Sequence, residues 1–389
     1  MSLAALLAAS SVILLAALAL EPAARRLEIA VPLVFLAVGL ACGALSATAR
    51  GEVDAAHLET IGTVALILIL VDGGLRTGIA ALRRELRPVL TLGIGGTLLT
   101  FLLVAAATHW VTGLDWTLAL IVGAALSPTD PAAVFSVLHG RDDPTRVATV
   151  LEGEAGFNDP VAIALVIALV DAARRGHGAG VLDVGWIMLR EGAVGAIVGI
   201  VLALLLDRLL SSRGPSIGVA PALVVGLGAF LAFGVADVAH GSGFLAAYLF
   251  GLVLGDRLGT GRQAVAALHD QLSSLAEVGM FVLLGIALTT IPLRGSLADA
   301  AVLAALLVLV IRPLVAGPVL GAFGLGRNAT AFGVWGGLKG AVPILLGSLP
   351  LARGLAEGNR LFALVGLVVV FSLVVQGLTL GRLARRLGV

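Results

Sequence analysis

The chain is 389 residues long, 59% hydrophobic and only 13% charged, with a formal net charge of +1. A water-soluble globule of that length needs a far more polar surface, so the composition points to a polytopic membrane protein. The near-neutral balance, with basic residues in short scattered clusters, argues against nucleic acid as a partner, and the single cysteine, Cys42, leaves no disulfide framework, redox pair or thiolate cluster.

Apolar stretches long enough to cross roughly 30 Å of hydrocarbon fall at 3–20, 28–47, 58–76, 89–111, 116–138, 146–172, 183–207, 217–237, 241–256, 270–292, 297–318, 328–350 and 359–383. The expected fold is therefore an all-α bundle of thirteen transmembrane helices. No Lys or Arg precedes Leu3, so the first run is read as a retained helix and not a signal peptide. No soluble domain is expected after the basic tail of Arg382, Arg385 and Arg386.

Alternate connections differ in charge. Of the 25 basic residues, only Arg50, Arg174, Arg175, Arg294, Arg353 and Arg360 fall on one side, Arg190, Arg312 and Lys339 lie within spans, and the other sixteen fall on the opposite side. Basic connections stay in the cytoplasm, which predicts an inner-membrane protein with its N-terminus outside and its C-terminus cytoplasmic. After the first helix, the remaining twelve divide into two sets of six, 28–207 and 217–383. Each set contains one interrupted helix, at Ser127-Pro128-Thr129-Asp130-Pro131 and at Gly336-Gly337-Leu338-Lys339-Gly340-Ala341-Val342-Pro343. Interrupted helices in corresponding halves mark a transporter site at the midplane and commonly come from inverted repeats. Glycine pairs such as Gly39 with Gly43 and Gly195 with Gly199 are read as close helix contacts.

Ionisable groups at bilayer depth are costly and are functional candidates. Asp159, beside Asn158, sits mid-span on the helix that follows the first break. Desolvation favours its protonated form and a bound cation its carboxylate, so it holds either a proton or a cation. Thr129 offers a hydroxyl oxygen, and carbonyls freed ahead of Pro131 offer more, as hard cations require. Asp130 is read as balancing the half-helix N-terminus that follows it, with direct cation ligation as the alternative. Lys339, the only lysine, is read as doing the equivalent at the second break. Arg312 needs an acid, and Glu154 is the candidate. Glu154 and Asp159 point about 140° apart on a helix, which separates a structural pair, Glu154 with Arg312 and with Asn158 nearby, from the exchanging acid. Glu152 is nearer the cytoplasmic end. Asp72 is either a solvated helix end or an acid of the funnel that draws cations in. Asp237 and Glu277 are left as interfacial, and all six histidines, His139 and His269 included, as solvated residues in or beside connections.

The strings Val71-Asp72-Gly73-Gly74-Leu75-Arg76-Thr77, Ser127 to Phe135, Glu152-Gly153-Glu154 with Asn158-Asp159-Pro160, Gly241 to Ala246, and Gly337 to Pro343 occur in one order along nearly the whole chain. In this the sequence resembles the bacterial NhaP-type monovalent cation/proton antiporters of the sodium/proton exchanger family. The resemblance implies thirteen helices, a homodimer, and a core domain with two crossed broken helices that moves like an elevator. It further implies that Asp159 exchanges cation for proton, with Asn158, Thr129 and Asp130 beside it, and that exchange is electroneutral and one-for-one. Two departures are Ala155, where sodium-selective relatives often carry Ser, and Lys339, where potassium-handling relatives usually carry Arg.

The rival readings are weaker. No Thr-Val-Gly-Tyr-Gly filter is present, although a cation channel of another kind, or another ion-coupled transporter, stays open as the alternative. There is no His-Glu-x-x-His string, and Gly340 after the only lysine rules out a Gly-Lys-Ser/Thr nucleotide loop. The expectation is a secondary transporter for Na⁺ or K⁺ and H⁺, with no enzymatic activity, no cofactor and no nucleotide, whose environment is the lipid bilayer.

Overall fold

The computed structural model describes residues 3–26, 29–46, 55–130, 146–175, 181–212, 221–258 and 262–388. Among them the regular secondary structure is helical. A chain in hydrocarbon must satisfy its backbone groups internally, and the helix does so within one segment. The helices are α1 (Leu3–Arg26), α2 (Val31–Leu45), α3 (Ala55–Arg84), α4 (Leu86–Leu90), α5 (Thr97–Thr112), α6 (Trp116–Ala125), α7 (Arg146–Arg175), α8 (Val181–Ser212), α9 (Pro221–Val238) and α10 (Gly243–Gly255). They continue as α11 (Arg262–Leu288), α12 (Leu297–Leu306), α13 (Arg312–Ala322), α14 (Arg327–Trp335), α15 (Ala341–Ala352), α16 (Gly358–Ser372) and α17 (Leu380–Leu387). Among the described residues, eight helical runs are long and apolar enough to cross a membrane, and five shorter apolar helices stand among them.

Several boundaries differ from the hydropathy reading. α11 begins at Arg262, eight residues before the expected 270, because the amphipathic turn carrying His269 is helical and its inner face is packed. The stretch 328–350, by contrast, divides where its glycine string predicts a break, into α14 and α15 parted at Gly336–Gly340. α6 stops at Ala125, and Pro131 with the rest of the expected span to 138 lies outside the described residues. Turns of π-helix at Thr91–Gly96, Leu307–Ile311 and Leu373–Gly377 join α4 to α5, α12 to α13, and α16 toward α17. Such turns add a residue to a helix and are frequent at functional sites.

Small residues set the closest approaches. A side chain at Gly39 would strike the backbone of Val282, and one at Gly285 the backbone of Leu36, so α2 and α11 lie almost in backbone contact. Gly251 and Gly255 of α10 do the same against Val71 and Leu75 of α3, and Gly195 and Gly199 of α8 against Ser242 and Ala246. Without a hydrophobic drive between helices in lipid, such proximity is a main source of cohesion. The outer faces of α8 and α9 carry exposed Ile197, Val201, Leu205, Leu227 and Leu231, as a surface toward lipid requires.

Candidate ion-exchange site

Two interrupted helices meet at one point. Past the end of α6 the chain is non-helical through Ser127 to Asp130, and past α14 it is so through Leu338. The Asp130 N–H donates to the Leu338 carbonyl at 2.9 Å, an antiparallel bridge between the two breaks. The breaks follow from the sequence, because Pro128 has no N–H to continue α6 and Gly336-Gly337 has little helix propensity.

The charges at this crossing are exchanged between the helices. The Lys339 ammonium donates to the carbonyls of Pro128 at 2.7 Å and Ser127 at 3.2 Å, which are acceptors left by the end of α6. The Asp130 carboxylate lies against Gly340, the residue that opens α15, so closely that a Cβ there would collide with it. Each charge therefore meets the helix end of opposite sign on the other interrupted helix. The sequence reading placed each charge at its own break, and it offered the freed carbonyls to a cation; Lys339 occupies those of Ser127 and Pro128. The half-helix expected after Asp130 lies in residues that are not described. Lys339 is further tied to the C-terminal region, since its N–H donates to Ser372 Oγ at 3.0 Å, which donates to Gln376 Oε1 at 2.6 Å, while Gln376 Nε2 donates to the Trp335 carbonyl at 2.8 Å.

α7 lies beside the crossing. Arg312, 6% exposed, donates from both terminal nitrogens to Glu154, 2% exposed, the second contact at 2.9 Å. The π turn immediately before Arg312 and the absence of a side chain at Gly337, where a Cβ would strike the guanidinium, open this path. Asn158, fully buried, donates to Thr129 Oγ1 at 2.9 Å, and Thr129 donates on to Glu154 Oε1 at 3.4 Å. A chain of polar contacts thus runs from Arg312 through Glu154 and Thr129 to Asn158.

Asp159 points elsewhere. It is 6% exposed, lines a cavity of about 490 Å³, and has no hydrogen bond or ion pair among the described residues. Asp130 and Lys339 are the charges that act on it. Asp130, Glu152, Ala155, Gly156 and Tyr248 line the same cavity. Its outer wall carries Arg76, which pairs with Asp72 at 2.9 Å and with Asp270; Arg76 and Asp270 are both substantially exposed and mark the mouth.

A sequence profile described as "Sodium/hydrogen exchanger, transmembrane" matches residues 10–386. The chain belongs to that exchanger family. This exchanger is 35% identical over 385 residues to the K(+)/H(+) antiporter NhaP2 of Shewanella oneidensis, covering 98% of the chain and 66% of the relative, and so spans about two thirds of that protein's length. It is 29% identical over 397 residues to the Na(+)/H(+) antiporter NhaH of Halobacillus dabanensis, covering 97% and 95% of the two chains. The solved sodium proton antiporter MjNhaP1 of Methanocaldococcus jannaschii superposes with a TM-score of 0.81 at 22% identity, over 97% of this chain and all of that one. The exchanger is a multi-pass membrane protein with the fold of MjNhaP1.

Of the two readings left open for Asp72, burial to 5% exposure on the cavity wall disfavours the solvated helix end. Two sequence assignments need correction in the exchanger. Glu277, left as interfacial, lines the same cavity because α11 carries one face along it. His269 is fully buried in α11 with Nε2 3.2 Å from the Ala222 carbonyl, and so is no surface residue; His139 lies outside the described residues. Sequence reasoning passed over Tyr248, whose isolation as the single tyrosine in a Gly-rich apolar helix was the available signal.

Proposed function

We propose that the chain is a secondary antiporter that exchanges one monovalent cation, Na⁺ or K⁺, for one H⁺ by alternating access, with Asp159 as the site both ions share. One contrast carries this reading. Glu154 and Lys339 have partners, and Asp130 is engaged at the crossing, whereas the Asp159 carboxylate faces a cavity with none. Arrival of the cation releases the proton, Asp159-COOH + M⁺ giving Asp159-COO⁻·M⁺ + H⁺, and the reverse step on the far side completes the cycle. Glu154 and Arg312 form a neutral pair and the opposite charges of Asp130 and Lys339 at the crossing sum to zero, so the site carries the same net charge in both loaded forms. That supports electroneutral one-for-one exchange.

Thr129, Asn158 and Asp130 are assigned to hold the site's shape, with Thr129 and Asp130 near enough in sequence to its break to serve the cation as well. Asp72 and Arg76 belong to the cavity mouth, which lies on the side rich in basic residues and is read as cytoplasmic. The N-terminus outside, the division into 28–207 and 217–383 as inverted repeats, thirteen crossings and a homodimer in the cell membrane complete the proposal and rest on charge distribution and family resemblance. The names of the relatives, K(+)/H(+) and Na(+)/H(+) antiporters, support the pair of candidate cations.

The test uses inverted vesicles or liposomes containing the full chain. After an acid-inside gradient is set, NaCl, KCl or LiCl is added in turn and the loss of the gradient is followed with a pH-sensitive dye. Wild type dissipates it with saturable dependence on at least one cation and Asp159→Asn does not; exchange at the normal rate by Asp159→Asn overturns the reading. Unsaturable cation flux without proton counterflow favours a channel instead.

A further inference from the structure

Tyr248 is the only tyrosine in the chain and lies on α10 with 1% of its surface exposed. Its ring packs edge-on against Phe157, with centroids 5.7 Å apart and planes at 75°. Its phenol end lies over Gly156 so tightly that a Cβ at that position would meet Cζ, Cε2 and the hydroxyl oxygen. Gly156 is three residues from Asp159 on α7, hence on the same helical face. Tyr248, Gly156 and Asp159 all line the cavity, and Glu152 and Asp159 are the charges that bear on the phenol.

The hydroxyl has no hydrogen-bond partner among the described residues. Buried hydroxyls are normally paired, so an orphan beside an ion cavity calls for a partner that comes and goes. Among the other neutral oxygens near Asp159, the buried Asn158 Oδ1 likewise lacks a partner, whereas those of Thr129 and the first break are engaged. Thr129 accepts from Asn158 and donates to Glu154, the Ser127 and Pro128 carbonyls accept from Lys339, and Ala155 presents only a methyl group to the cavity.

We propose that Tyr248 is a selectivity residue: its hydroxyl supplies a neutral oxygen to the monovalent cation held at Asp159 and so sets which alkali ion is preferred. The assignment rests on Asp159 being the exchange site. Hard cations exchange hydration oxygens for protein oxygens, and a phenol fixed by Phe157 and by the notch at Gly156 offers one at a set distance, which discriminates by ionic radius.

Tyr248→Phe removes the oxygen and keeps the ring. In proteoliposomes the apparent KM for the preferred cation rises roughly tenfold, as loss of one good ligand oxygen implies, the maximal rate stays near wild type, and the ratio of KM values among Na⁺, K⁺ and Li⁺ changes. A structural role alone would lower the maximal rate or the yield and leave that ratio fixed. Unchanged KM values for all three cations, with Asp159→Asn inactive, overturn the proposal while leaving antiport standing; an active Asp159→Asn strikes the antiport reading itself. A second measurement keeps the wild-type fold. Incorporated 3-fluorotyrosine labels this position alone, and its ¹⁹F resonance shifts on adding the transported cation but not in Asp159→Asn. A resonance insensitive to all three cations also overturns the assignment.

Discussion

The ammonium of Lys339, on one interrupted helix, lies 2.7 Å from the carbonyl of Pro128 on the other. With the Asp130 carboxylate against Gly340, this contact makes each break the cap of its counterpart. Lys339→Met leaves the Ser127 and Pro128 carbonyls buried and unpaired, at about 1–3 kcal/mol for each group so stranded. The purified variant melts several degrees lower by intrinsic fluorescence, and Lys339→Arg, which keeps donors and charge, loses less. An unchanged melting temperature for the methionine variant removes the capping role.

Gly340→Ala places a methyl group where the Asp130 carboxylate sits. Overfilling of this kind costs about 1–3 kcal/mol, and here it also pushes the acid off the α15 N-terminus. Transport falls well below wild type at normal expression, measured by dye recovery in vesicles; wild-type exchange by the alanine variant would show that the acid has room to move.

Removing one partner of a buried ion pair leaves the other charge stranded, at about 3–5 kcal/mol, whereas removing both costs far less. Glu154→Gln and Arg312→Met each reduce the yield of monodisperse protein in size-exclusion chromatography, and the double variant recovers part of it. Strictly additive losses in the double variant would mean that the two residues do not depend on one another.

If a proton and a cation compete for Asp159, lowering the pH fills the site with protons and more cation is needed to displace them. The apparent KM for the cation therefore rises as the pH falls, while the rate at saturating cation changes much less. Cation titrations at a series of symmetric pH values check this, and a KM independent of pH contradicts a shared site.

The sequence made legible what composition and local chemistry dictate: an apolar helical bundle, two places where proline and glycine stop helices, and the acids that need partners at depth. Glu154 with Arg312 followed from electrostatic necessity, since an intramembrane guanidinium without an acid is prohibitively costly. What depended on three-dimensional registry was not legible. Local rules assign Lys339 and Asp130 to their own helix ends, and only the crossing reveals that each serves the other. The π turn before Arg312 leaves no hydropathy signature. His269 looked peripheral because a hydropathy window trims the polar first turns of α11, whose inner face is covered by neighbouring helices, and nothing in the sequence shows that Glu277 faces the cavity.

The reciprocal caps at the crossing also constrain how the protein is able to move. Pulling the two half-helices apart would strip an ammonium and a carboxylate of their counterparts simultaneously, deep in hydrocarbon, so they must travel together as one rigid cross. In the alternating-access cycle proposed above, conformational freedom then belongs to the surfaces that face that cross, such as α3 and α11 along the cavity wall, and not to the joint at its centre.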